Sequence, residues 1–192
     1  GRDPLHVGDA PDVPAEGAAR GPHDAHPGRE ARGGRAAAEP PPASDPAEII
    51  IDNNQGNNNA TYAKATTSAN WTSTAATPGY YGSNYLFADT QPVSDAANFE
   101  FFLNGASARK IEIWYTAGAN RSAQAPVVAF DSNGVNLGTI KVNEQVGGKA
   151  WTNVGTFNFT AGWNKIALSR YTTTGSVVIA EARPHGRDGE GH

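Results

Sequence analysis

From residue 97 onward the chain alternates apolar and polar positions with a period of two, the pattern of strands that bury one face and wet the other. Residues 97–103 set Phe99, Phe101 and Leu103 on one side, and residues 109–115 set Ile111, Ile113 and Tyr115 opposite Lys110, Glu112 and Trp114. Residues 126–130 and 137–142 are apolar runs flanking Asp131-Ser132-Asn133-Gly134, a hairpin turn by composition. Residues 151–159 place Val154, Thr156 and Asn158 on one side and Gly155, Phe157 and Phe159 on the other; 163–168 alternate as well, and 176–180 close the set. Upstream, Ile49-Ile50-Ile51 forms a short β-branched run before the Asn-rich loop 53–59. Residues 62–73 read as one second strand with an irregularity at 68–70, and 85–88 as another strand. No stretch carries a helical period over helical length. The pattern predicts an all-β fold, an antiparallel two-sheet β-sandwich.

The first 47 residues carry no such period. They are built from Ala, Gly, Pro, Arg, Asp and His, with Leu5, Val7 and Val13 as isolated branched side chains, too little apolar surface to offset the entropy of ordering. The expected organisation is an irregular arm or linker over 1–47, a β-sandwich domain over 48–183, and a tail over 184–192 where the arm's alphabet returns. His6, His23 and His26 are irregularly spaced among prolines and read as solvated linker residues rather than a metal tract.

Composition narrows the function classes. There is no cysteine and no methionine, so disulfides and thiol chemistry are excluded. The net charge of −4 and the scattered lysines and arginines argue against a nucleic-acid or anionic-membrane partner. Apolar runs such as Val177-Val178-Ile179-Ala180 are too short to span a bilayer. A polar, weakly charged surface of Asn, Thr, Ser and Gly suits a secreted, extracellular β-protein that meets neutral polysaccharide.

The aromatic side chains and turn formers concentrate between Trp71 and Tyr85. Pro78-Gly79 reverses the chain just before Tyr80 and Tyr81, which point to opposite sides of an extended backbone. Two readings stay open: a corner whose tyrosines cap the core with their hydroxyls wet, or a platform on which sugar rings stack.

Several pieces then fall in order. Ile50-Ile51-Asp52-Asn53, Trp71-Thr72-Ser73-Thr74, the run Thr77-Pro78-Gly79-Tyr80-Tyr81-Gly82-Ser83-Asn84-Tyr85, Trp114 to Arg121, Val142-Asn143-Glu144-Gln145 and Val177 to Ala182 together resemble the golvesin C-terminal domain, found beside bacterial xanthan lyases and other secreted hydrolases. The resemblance spans roughly 49–182. It implies a galactose-binding-like sandwich of jelly-roll type in an exported bacterial protein, and a carbohydrate role. The Asn-rich loop 53–59 and the residues after Ala182 depart from the family pattern.

Catalytic chemistry finds little footing. All five histidines lie near the ends, which removes Ser-His-Asp, Cys-His and histidine-rich zinc arrangements from the expected domain. A two-carboxylate glycosidase would have to draw on Asp52, Asp89, Asp95, Glu100, Glu112, Asp131, Glu144 and Glu181, most of which fall at turns or on outward faces. Asp131-Ser132-Asn133-Gly134 lacks the later acidic ligand of a calcium loop. No cofactor is implied; a structural calcium using Asp52 or Asp89 with backbone carbonyls is compatible with the sequence. Asn120 and Arg121, after the Trp114-Tyr115 strand, either anchor their loop or offer planar donors to sugar hydroxyls or an acidic sugar.

The expectation is a non-catalytic carbohydrate-binding accessory domain, with Trp71, Tyr80, Tyr81 and Tyr85 as stacking residues and Asn120 and Arg121 as polar ones. Its partners would be a polysaccharide or cell-surface glycan and a parent catalytic domain or identical subunits. The rival expectation is a structural or self-assembling extracellular module whose arm contacts a neighbouring domain or subunit.

Overall fold

The computed structural model describes residues 44–181 and the backbone of 183–187. Twelve strands form there: β1 (Glu48–Ile51), β2 (Ala63–Thr66), β3 (Thr72–Thr74), β4 (Tyr85–Asp89), β5 (Ala97–Leu103), β6 (Ser107–Ile113), β7 (Ala125–Phe130), β8 (Asn136–Val142), β9 (Thr152–Phe159), β10 (Gly162–Leu168), β11 (Val177–Ala180) and β12 (Arg183–Arg187). A three-residue 3-10 turn, Ala60–Tyr62, precedes β2. All pairings between named strands are antiparallel, in a five-stranded sheet ordered β2-β5-β10-β7-β8, a four-stranded sheet ordered β1-β12-β6-β9 and a three-stranded sheet ordered β11-β4-β3.

The alternation seen in the sequence is what packs the layers. Phe99, Phe101 and Leu103 of β5 and Ile111 and Ile113 of β6 are buried, with Ile166 and Leu168 of β10 beside them. Phe101 meets Phe159 of β9 edge to face with ring centroids 4.9 Å apart, which joins the inner faces of the five- and four-stranded sheets. Tyr85, Ala88, Val178 and Ala180 of the three-stranded sheet belong to the same core. The β-sandwich expected from the period is therefore the observed fold. Between β7 and β8, Asp131 closes the hairpin by accepting from the N–H groups of Asn133 and Val135, both at 2.9 Å.

Two details depart from the period. Residues 62–73 do not form one strand: β2 pairs with β5, whereas β3 pairs with β4 in another sheet. The break is a turn in which Trp71 N–H donates to Ser68 O (3.3 Å) and Asn70 N–H to Ser68 Oγ (3.2 Å). In β9, strict alternation would put Val154 and Phe159 on opposite faces, yet both are buried. A bulge opposite Ile111 and Glu112 changes the phase, and it sits at Gly155, whose φ of +136° a side chain would resist.

At the two ends the domain reaches past its expected limits. Asp45 accepts from Asn104 N–H (2.6 Å), and the buried Arg109 donates to Pro46 O (2.9 Å) and Ala47 O (3.3 Å), so residues 45–47, ahead of Glu48, pack on the domain. The expected tail contributes β12, which pairs with β1 and with β6 and fills the place between them. The rest of the expected arm and tail lies outside the described residues.

Candidate functional site

The segment from Trp71 to Tyr85 turns most of its rings inward. Trp71 is only 6% exposed, and its Nε1 donates to Asp95 O at 2.9 Å. Tyr80 packs on Tyr85 with centroids 6.2 Å apart. Tyr81 sits among Trp114 (5.9 Å) and Trp151 (5.3 Å), which are themselves 5.3 Å apart, and Trp114 Nε1 donates to Gly79 O at 2.8 Å. These three rings are spent on one another, largely edge to face, and the indole N–H on the backbone. Of the two readings left open by the sequence, this geometry is that of a packed corner.

Two carboxylates support the corner from below. A Cβ at Gly82 would lie 2.6 Å from Asp52 Oδ2, so only glycine fits there, and its φ is +66°. Glu181 Oε2 accepts from Tyr81 N–H at 3.4 Å, while Oε1 is buried with no hydrogen-bond partner. Burial pushes the Glu181 carboxyl from an ordinary value of 4.5 up to about 8; the charge of Asp52 adds to the rise, and the N–H groups of Tyr81 and Thr116 and the charge of Arg121 oppose it. Burial likewise raises Asp52 against hydrogen bonds from Asn54 and Asn53. Both acids are almost fully enclosed.

A concavity of about 280 Å³ opens beside the three-stranded sheet. The half-buried Phe87 and Val177, brought together by the pairing of β4 with β11, form its apolar wall, with the buried Tyr85 and Ile179 behind them. Thr74, Thr77, Asn120 and Arg121 supply polar groups, with Ala76 between them. The loop carrying Asn120 and Arg121 is fixed along β11: Val177 N–H donates to Asn120 O (3.0 Å), Ser122 N–H donates to Val177 O (2.8 Å), and Arg121 N–H donates to Gly118 O (3.0 Å). Arg121 is 7% exposed. Its Nη2 donates to Thr77 Oγ1 (3.0 Å), its Nε to Thr116 O (3.4 Å) and its Nη1 to Asn120 Oδ1. These bonds fix the rim, and Asn120, whose Oδ1 is held by Arg121, is exposed on it.

The concavity thus unites Tyr85, Asn120 and Arg121 of the six residues singled out in the sequence, and leaves Trp71, Tyr80 and Tyr81 elsewhere. Thr77 and Val177, which belong to the pieces that carry the family resemblance but are not singled out there for binding, join them, as does Phe87, which reads as an ordinary strand residue. No carboxylate lines the concavity, and no histidine occurs from residue 44 to 181. Among the described residues there is no group of three or more His, Cys, Asp or Glu that could hold a metal, and no helix long and apolar enough to cross a membrane.

The family model described as the Golvesin C-terminal domain matches residues 49–183. A xanthan lyase from Paenibacillus superposes with a TM-score of 0.56 at 23% identity, covering 74% of this chain and 13% of the lyase. A family 35 carbohydrate binding module from Clostridium thermocellum gives a TM-score of 0.49 at 15% identity, covering 72% of this chain and 98% of that module. A Xyl-CBM35 solved with a glucuronic acid containing disaccharide gives 0.46 at 18% identity, covering 67% of this chain and 99% of that one. No curated protein matches the chain. This chain spans only a small part of the lyase, and the likeness is one of fold.

Proposed function

The chain belongs to the golvesin C-terminal domain family, and from that premise we propose that it is a non-catalytic carbohydrate-binding accessory domain of a secreted bacterial protein. The observation that carries this reading is the concavity in which an apolar wall of Phe87 and Val177, backed by the buried Tyr85, adjoins the exposed Asn120 on a rim held by Arg121. A pyranose ring has an apolar face and a hydroxyl rim, and such a wall with adjacent planar donors matches both. Binding without turnover is favoured because the buried acids, Asp52 and Glu181, lie under the aromatic corner and do not line the concavity.

Retention on immobilised xanthan, cellulose, mannan, xylan, pectin and alginate tests this. One or more of them is expected to retain the protein, with Asn120→Ala weakening retention about tenfold, the loss typical of one well-placed polar contact. Tyr80→Ala should leave retention unchanged. Retention by none of the six, or retention indifferent to Asn120→Ala and Phe87→Ala, overturns the proposal.

A further inference from the structure

Two more hollows adjoin this concavity. The second, about 420 Å³, shares Asn120 and Val177 with the first and is lined by Asp89, Gln91, Thr174 and Ser176. The third, about 610 Å³, shares Thr174 with the second and is bounded by Gln124, Thr139, Lys141 and Tyr171. Each hollow has lining residues in common with the next, so the three lie side by side along the surface. Pockets of roughly 300–1,000 Å³ hold a drug-sized molecule, so the path has room for several sugar rings.

Its chemistry changes along the way. The first hollow is walled by ring and branched carbons, the second by hydroxyls and amides, and the third carries Tyr171, 63% exposed, near Lys141, whose Nζ donates to Gln124 Oε1 at 3.2 Å. An exposed ring flanked by an amide and hydroxyls is suited to stacking, and it lies at the far end from Tyr85. A polypeptide is a poor occupant of this path. The usual way to hold one would be to add a strand to β11, and β11 has no edge to give: Val177 N–H and O are bonded to Asn120 and Ser122, and Ile179 N–H donates to Glu144 Oε2 at 2.9 Å.

We propose that the three hollows are consecutive subsites for an internal stretch of a linear polysaccharide, one sugar unit or more in each, with Tyr171 stacking on the unit most distant from Tyr85. This rests on the carbohydrate-binding reading above and adds to it that the ligand is an extended chain, recognised along its length rather than at its end. Arg121, Asp89 and Lys141, one in each hollow, leave the lining with a single net positive charge, which suits a neutral or sparsely anionic chain.

The test is calorimetric titration with size-fractionated oligosaccharides, two to six units long, from whichever of the six polysaccharides retains the protein. Affinity should rise about tenfold or more between two and four units. Tyr171→Ala should lose about tenfold on the six-unit chain, with the loss confined to chains long enough to reach it; the exposed position allows the variant to fold, which circular dichroism checks. Equal affinity for two- and six-unit chains overturns the extended groove while leaving a carbohydrate-binding domain standing. An unchanged six-unit affinity in both Tyr171→Ala and Gln124→Ala does the same. Retention on none of the polysaccharides overturns both readings together.

Discussion

The aromatic corner and the groove that begins at Tyr85 use their polar and apolar groups in opposite ways. In the corner, Tyr81, Trp114 and Trp151 pack on each other, the indole N–H groups of Trp71 and Trp114 donate to backbone carbonyls, and the two acids are enclosed beneath. The groove has fewer rings, but Asn120, Gln91, Gln124 and Tyr171 are exposed on it. A region dense in aromatic residues is therefore not the one that leaves most polar groups and rings exposed. What matters for recognition is which groups still have unmet contacts once the protein has folded.

Four changes sharpen or break that contrast. The largest effect is expected from Trp71→Ala, which removes a buried ring and its hydrogen bond and should cost about 3–5 kcal/mol in chemical denaturation. A loss below about 1 kcal/mol would mean the corner does not depend on this side chain.

Next comes Glu181→Gln. The unfolded chain ionises Glu181 above pH 4.5, while the folded chain keeps its proton up to about pH 8. Across that window the native state binds more protons, so stability falls as pH rises and levels off above it. The wild type should lose on the order of 3 kcal/mol between pH 4 and 9 from this group, and the glutamine variant should lose much less. Parallel stability profiles for the two proteins would refute the raised carboxyl.

Tyr81→Ala should cost about 2 kcal/mol in stability, by loss of two ring contacts, and leave polysaccharide retention as it was. Weakened retention in a fully folded Tyr81→Ala would place the binding surface in the corner and reverse the comparison. Smallest is Lys64→Ala. Its Nζ lies 4.4 Å from the Trp163 ring and 3.7 Å from Glu100, both on an open sheet face, and thermal melting should register about 0.5 kcal/mol.

Much of the sandwich was legible because burial and period coincide: Phe99-Phe101-Leu103 and Ile111-Ile113-Tyr115 lie inward as their spacing demands. The illegible parts are those where something other than period decides. At Gly155 the bulge shifts the inward phase of β9, and no apolar pattern announces an inserted residue. At β12 the letters Arg-Pro-His-Gly-Arg have poor strand propensity, and Pro184 has no N–H to offer a ladder, yet the space between β1 and β6 is filled by this segment. For the site, Asn120 and Arg121 could be named because they follow a strong strand in a turn-forming loop. Thr174 and Tyr171 could not, because only the fold brings 171–176 alongside 89–91, through Gln91 N–H to Arg170 O and Thr90 N–H to Ser176 O.

The placement of β12 has a bearing on how the molecule is made. The four-stranded sheet cannot zip until almost the last described residues are available, since the strand joining β1 to β6 is translated after every other. A nascent chain still tethered near residue 180 would hold two unmatched ladders apart, and closing them brings together segments some 130 residues distant in sequence, from Ile50 to Pro184. Completion of this layer thus waits until Arg183–Arg187 has been made, whatever the rest of the sandwich has already done.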